Sequence, residues 1–257
     1  MIETVTATRY VTPLREGGSL PGIVEASDYG TYVVKFRGAG QGLKVLVAEV
    51  IVGELGRRLG LRVPELRALQ LDPAIGKYEA DEEVQDLLTA SVGLNLAVDF
   101  LPGSFAWDSK AKVDPTEATK VLWLDAFTAN VDRSWRNPNL LMWHRDLWLI
   151  DHGAALYFHH SWGSPTADPA RFAGQAYDFS DHVFGVYAER IATLDAELAG
   201  QITPGLLTEV LDLVPDEWLE PAGDRQTPAE IRQGYQDYLL ARIADRAAWL
   251  PGAGGAR

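Results

Sequence analysis

The segment from Leu43 to Leu59, LKVLVAEVIVGELGRRL, reads as a helix that is apolar nearly all round through its first three turns. Such a helix has no face to give to water, so the rest of the chain must bury most of it. Gly60 follows as a C-terminal stop signal. In the middle of the apolar run stands Glu49, and a carboxylate on a buried helix is costly unless it is paired. The chain has 257 residues, enough for one large domain or two lobes sharing a cleft. Its net charge of -13 argues against general nucleic-acid binding, which needs a surplus of Lys and Arg, but allows a local basic pocket for a nucleotide. The absence of cysteine excludes disulfides, thiolate zinc sites and cysteine nucleophiles. MIETVTATRYV lacks the basic and apolar regions of a signal peptide, and no apolar run approaches the roughly 20 residues of a membrane helix. The expectation is a soluble cytoplasmic protein with no membrane partner.

Around this helix the chain reads as strands first and helices later. ATRYVTPL, GIVEA and TYVVKF are β-branched and aromatic runs, separated by the glycine loop REGGSLPG and the turn SDYG. RVPELRAL and SVGLNLAVDFLPG read as further strands, the second ending in a break at Pro102 and Gly103. DPTE, Asp114 to Glu117, predicts a helix start with an aspartate cap, Pro at the first helical position and Glu at the third. That helix runs through ATKVLWLDAFTA and delivers the chain to Asn130. NLLMW and LWLI predict two short strands with His144-Arg145-Asp146 as their turn. Helices are expected near 186–200, 204–214 and 228–248, the last two capped at Thr203-Pro204 and Thr227-Pro228, and the tail PGAGGAR is expected to be disordered.

The stretch NVDRSWRNPNLLMWHRDLWLIDHG, Asn130 to Gly153, holds the densest set of side chains able to do chemistry. Asp132 and Asn137 form D-x-x-x-x-N, the spacing of a kinase catalytic loop. Asp151-His152-Gly153, at the exit of the hairpin, has the form of the metal-binding D-F-G with His in place of Phe. Phosphoryl transfer needs a carboxylate to orient and deprotonate an acceptor hydroxyl, and oxygen ligands for Mg²⁺. Asp132 suits the first role; Asn137 and Asp151 suit the second. The triplet His144-Arg145-Asp146 imitates the kinase H-R-D, but a strand-to-strand turn is a poor seat for a base, and Asp146 reads as a solvated turn residue. Lys35 in TYVVKF is placed like the strand lysine that holds ATP phosphates, with a solvated edge lysine as the plainer reading. It is the economical partner for Glu49, and Glu54, near Arg57 and Arg58, is the competing carboxylate. Gly17, Gly18 and Ser19 would let backbone N–H groups approach phosphates, although glycine-rich hairpin loops are common. Arg133 and Arg136 flank Trp135; each arginine could steady a phosphate or pair with a surface carboxylate, and Trp135 could shape an acceptor pocket or pack beneath the loop.

Taken in order, TYVVKF, AEVIVGELGRRLGLRVPE, NVDRSWRNPN and LIDHGAALYF resemble the HipA-like kinase family over roughly residues 15 to 160. Asn130-Val131 stands where protein kinases have His-Arg, and no A-P-E motif follows. The resemblance implies an α+β, bilobed, protein-kinase-like fold: an N-lobe antiparallel sheet with one buried helix over 1–101, a mainly helical C-lobe over 102–250, and a flexible tail over 251–257. It implies ATP and Mg²⁺ as cofactors and transfer of the γ-phosphoryl group to a hydroxyl, usually Ser or Thr of a protein. By position Lys35 would contact ATP phosphates, Glu49 would hold Lys35, and Asp132 would be the base. Asn137 and Asp151 would bind metal, and Asp99, Phe100 and Leu101 would form the adenine hinge. The segment from His159 to Phe184 is where an acceptor would bind. A small-molecule kinase on the same fold and a nucleotide-binding pseudokinase are the alternatives of that class. A metal-dependent hydrolase using His144, Asp146, Asp151, His152, His159 and His160 is the remaining one, weakened because adjacent histidines on a strand would point to opposite faces.

Overall fold

The structure, a computed structural model, describes residues 1–15, 20–40, 42–77, 79–162 and 169–251. Gly17, Gly18, Ser19 and the tail from Gly252 lie outside them. The chain divides into two compact units, Met1–Leu46 with Pro64–Pro102, and Val47–Val63 with Gly103–Arg257. Among the described residues no helix is long and apolar enough to cross a membrane.

The first unit is built on β1 (Thr4–Pro13), β2 (Gly22–Ala26), β3 (Thr31–Lys35), β4 (Leu66–Leu71) and β5 (Gly93–Asp99). An antiparallel sheet is predicted; the strands instead close into a barrel in the order β1-β2-β3-β5-β4, because β1 also pairs parallel with β4. The physical reason lies in the length and irregularity of β1. Its first residues, Thr4 to Thr6, pair with β4, while Ala7 to Pro13 pair antiparallel with β2 through two register shifts. Such irregularities bend a strand and sharpen its twist, and closure removes exposed edges. Val5, Ala7, Val24, Ala26, Tyr32 and Val34 alternate inward along their strands and share one core. Between β4 and β5 the chain forms α2 (Glu82–Ala90), a helix the sequence reading does not predict. Only Val84 and Leu88, one turn apart, are buried along it, so its apolar period is faint; Asp81 caps it by accepting from Glu83 N at 3.1 Å.

Helix α1 (Leu43–Arg58) is buried from Leu46 through Val52, as its composition requires. It ends in a Schellman motif: Gly60, at φ 79, donates to Arg57 O at 3.1 Å, and Leu61 donates to Gly56 O at 2.9 Å. The division between units falls within it, with Val47 onward in the second.

The second unit is mainly helical. In α3 (Pro115–Thr128), Asp114 accepts from Thr116 N and Glu117 N, and burial is nearly complete from Ala118 to Thr128. A three-stranded sheet follows in the order β6 (Phe105–Ala106), β7 (Leu140–Trp143), β8 (Asp146–Leu149). Trp143 pairs with Asp146, so His144 and Arg145 make a two-residue turn, both at positive φ, 51 and 72. Asp146 meets Arg62 at 3.1 Å there. Helices α4 (Ile191–Gln201), α5 (Pro204–Leu211) and α6 (Pro228–Ala244) complete the unit, with Thr227 and Glu230 forming a capping box on α6.

On α6, Gly234 lies against the ring of Trp162, and a Cβ there would run into its Cζ2 and Cη2. Gly234→Ala is expected to cost about 1–3 kcal/mol by overpacking. Gly200→Ala on α4, where nothing lies within 4 Å, is expected to cost nothing. Chemical denaturation of both variants checks the contrast.

Candidate active site

Helix α3 ends with Ala129 in the left-handed region, at φ 54, and this turns the chain into the loop that carries Asp132. One turn earlier is Asp125, fully buried. Its Oδ1 accepts from Asn130 Nδ2 at 2.8 Å, and its Oδ2 accepts from Arg133 Nε at 2.6 Å and His182 Nε2 at 2.9 Å. The Nδ1 of His182 accepts from Phe184 N at 3.0 Å, so Nε2 carries the proton it donates to Asp125. Burial alone would push the Asp125 carboxyl up; the Arg133 guanidinium and the hydrogen bond from His182 more than reverse this and hold it well below the usual range.

Arg133 is itself buried and spends its donors in four directions. Besides Asp125 it donates to Asn139 O, to Ile150 O at 3.2 Å and to His152 Nδ1 at 3.1 Å. One guanidinium thus fastens the end of α3, the entry to β7, the exit of β8 and the residue after Asp151. Asp132, next to it in sequence, is half-buried, and its Oδ2 accepts from Asn137 Nδ2 at 2.9 Å and Asn139 Nδ2 at 3.1 Å. Its Oδ1 accepts no hydrogen bond from the described residues. Two amides therefore fix the carboxylate and leave one oxygen to take a proton. Asn137 and Asp151 are exposed, and Asp151 sits at φ 58, in the left-handed region that Asp tolerates better than most residues.

The family profile described as HipA-like kinase matches residues 8–251. The chain belongs to the HipA-like kinase family. Among solved structures it is similar to the Helicobacter pylori proinflammatory kinase CtkA, with 12% identity, a TM-score of 0.53, and coverage of 95% of this chain and 98% of that one. At that identity the likeness shows the fold: α+β, with sheet and helices arranged as in a kinase. No curated protein matches the chain. Membership implies ATP as the phosphoryl donor, and family and fold together support a kinase function.

The other residues expected of a HipA-like kinase are placed as follows. Lys35 is the last residue of β3, in register with Leu96 and half-buried on the strand face away from Tyr32 and Val34. Glu49 is buried in α1, and Glu54 lies 3.7 Å from Arg57. Asp99 ends β5 with its N–H donating to Glu65 O at 2.8 Å, and Phe100 N donates to Thr31 O at 3.1 Å, while Leu101 is buried. Burial, with help from Glu65, raises the Asp99 carboxyl. The buried Arg133 corrects the expectation of a surface or phosphate-facing arginine; Arg136 is the exposed one, stacked on Trp135 with its guanidinium carbon 4.2 Å from the ring centroid. His159 and His160 are on a single 3-10 turn, Tyr157–His160, and not on a strand, so their Nε2 atoms lie 3.2 Å apart. Among the described residues no group of three or more His, Asp or Glu is arranged to hold a metal ion.

The sequence reading passes over Asp125, Asn139 and His182. Asp125 carries the same signal as Glu49, a carboxylate inside an apolar helix, VLWLDAFTA, and that signal asks for a buried cation. His182 lies 57 residues further on and carries no local signal.

Asp125→Asn leaves Arg133 buried beside a neutral group, and the expected loss is about 3–5 kcal/mol in chemical denaturation at pH 7. Because the folded carboxyl titrates below its unfolded value, its contribution is complete above about pH 4 and disappears as pH falls through the depressed value. The difference between wild type and variant should accordingly narrow below about pH 4.

Proposed function

We propose that the protein is an ATP- and Mg²⁺-dependent kinase that transfers the γ-phosphoryl group to a hydroxyl, Ser or Thr of a protein. The observation that carries this reading is the Asp132 carboxylate, held by two amides through Oδ2 with Oδ1 left to accept. In the proposed step Oδ1 takes the proton of the acceptor hydroxyl as its oxygen bonds to the γ-phosphorus. The bond from that phosphorus to the β–γ bridging oxygen breaks, and its electron pair leaves on ADP.

Asn137 and Asp151 offer an amide and a carboxylate, an all-oxygen pair that fits Mg²⁺, whose remaining ligands are water and substrate phosphate. The hydrogen bond from Asn137 Nδ2 to Asp132 orients that amide so that its oxygen remains the ligand atom. A bound Mg²⁺ would supply charge neutralisation at the phosphoryl oxygens. In this reading Lys35 serves the ATP phosphates and Glu49 serves Lys35, while Gly17, Gly18 and Ser19 form the phosphate-covering loop. The N–H groups of Asp99 and Phe100 are already engaged, so adenine recognition would fall to the carbonyls of this stretch and to Leu101 N–H.

Thermal unfolding with ATP and Mg²⁺ tests the assignment on the wild type, Asp151→Ala and Asp132→Asn. Ligand at a hundredfold excess over Kd stabilises the wild type by about 2.7 kcal/mol. Asp151→Ala should lose the metal-dependent part of the shift. Asp132→Asn should keep the shift while phosphoryl transfer drops by at least about 100-fold. A wild type that does not respond to millimolar ATP removes the ATP reading, and full turnover in Asp132→Asn removes the base.

A further inference from the structure

Within the second unit, beside the loop that carries Asp132, lies a cavity of about 350 Å³. Val131, Arg133 and Ser134 line it from the loop, and residues from the 175–182 segment line the rest, with Tyr157. Loop and segment are stitched together: Ser134 bridges His182, Trp135 N donates to Asp181 O at 3.2 Å, and Val183 N donates to Arg133 O at 3.1 Å. Two of its lining residues, Val131 and Arg133, flank the proposed base in sequence.

Its chemistry is selective. Two basic residues line it, Arg133 and His182, and both have turned their polar atoms inward to Asp125 and its neighbours. Tyr177 donates its hydroxyl to Asn130 O at 2.7 Å, so what it has left for the cavity is ring. Tyr157 adds a second aromatic ring, 61% exposed. Against these surfaces stand two exposed carboxylates, Asp178 and Asp181. Arg136 approaches Asp181 at 3.7 Å, but both side chains are more than 60% exposed, and so loose a pair yields readily to a better-placed cation. Aromatic faces with carboxylates suit the apolar stem and charged head of a cation, and repel an anion. The net charge of -13 steers cationic ligands toward the molecule in the same sense.

We propose that this cavity is the acceptor-side specificity pocket, and that it takes a cationic group carried next to the hydroxyl to be phosphorylated. The proposal rests on the kinase reading above and names the acceptor class for it. The cation is supplied by a Lys or Arg flanking the acceptor Ser or Thr of a peptide, or by the ammonium of a free amino alcohol; the chemistry of recognition is the same.

Three serine peptides, identical except for Arg, Ala or Glu beside the serine, and ethanolamine as the free amino alcohol, are offered with ATP and Mg²⁺. Labelled phosphate is followed with the wild type and with Asp178→Asn/Asp181→Asn, whose folding is checked by its melting midpoint. The expected kcat/KM order is Arg, then Ala, then Glu, with the Arg peptide preferred over Ala by about tenfold and the preference largely lost in the double variant. Calorimetric titration of the Arg peptide into nucleotide-free protein should show binding that weakens in the double variant. Turnover of ethanolamine alone would assign the free amino alcohol as the source, again with loss in the double variant. Equal rates for the three peptides, or an Arg preference that survives the double substitution, would overturn the pocket while leaving the kinase reading in place. Absence of an ATP-induced thermal shift in the wild type is the distinct signature of a failed kinase reading, and it would overturn the acceptor role with it.

Discussion

A guanidinium buried against a carboxylate cannot be held loosely, because removing each charge from water costs several kcal/mol and only a full set of hydrogen bonds offsets it. Arg133 and Asp125 satisfy that condition together, with His182 and Asn130 completing the carboxylate and two carbonyls and an imidazole completing the guanidinium. The consequence reaches beyond stability. Asp132 follows Asn130 by two residues and precedes Arg133, while Asp151 lies between Ile150 and His152, both of which Arg133 holds. The acid proposed as base and the acid proposed as metal ligand are therefore positioned by one buried group that is neither.

A second buried arginine supports the first. Arg242 of α6 donates to Ala126 O and Phe127 O in the last turn of α3, and to Ala173 O and Gln175 O at 2.8 and 2.6 Å. A cation suits that helix end, where carbonyls are left without intrahelical partners. By tying 173–175 to α3, it brings Tyr177 to the carbonyl of Asn130. Burial, and then the nearby Asp125, push the Tyr177 hydroxyl upward, so it remains protonated and keeps donating. The loop is thus fixed from below by ions and from the side by a phenol, which is the preorganisation a proton-accepting carboxylate needs.

Much of this organisation is legible in the linear chain wherever the cause is local. The period of TYVVKF, the Asp-Pro-x-Glu start of α3, the glycine that ends α1 and the capped starts of α5 and α6 are all decided by neighbours within a few residues. The same holds for the turn at His144-Arg145, after which Asp146 lies 3.1 Å from Arg62. Where cause and effect are distant, the reading runs out. Nothing near β1 announces that Val5 will pair with Leu69 of β4, 64 residues away, and close the barrel. Likewise α2, with two buried side chains, owes its place to the barrel core more than to its own pattern.

The D-x-x-x-x-N and D-x-G spacings, and the apolar helix with Glu49 embedded in it, are properties of the sequence alone, because residue type and separation suffice to state them. What only the tertiary structure decided is the supporting layer: that Arg133 turns inward, that Asp125 receives it, and that His182 arrives from 57 residues away to share the same oxygen. The reason is energetic. A buried charge is tolerable only where several distant segments converge on it, and convergence is a property of the folded chain rather than of any stretch of it.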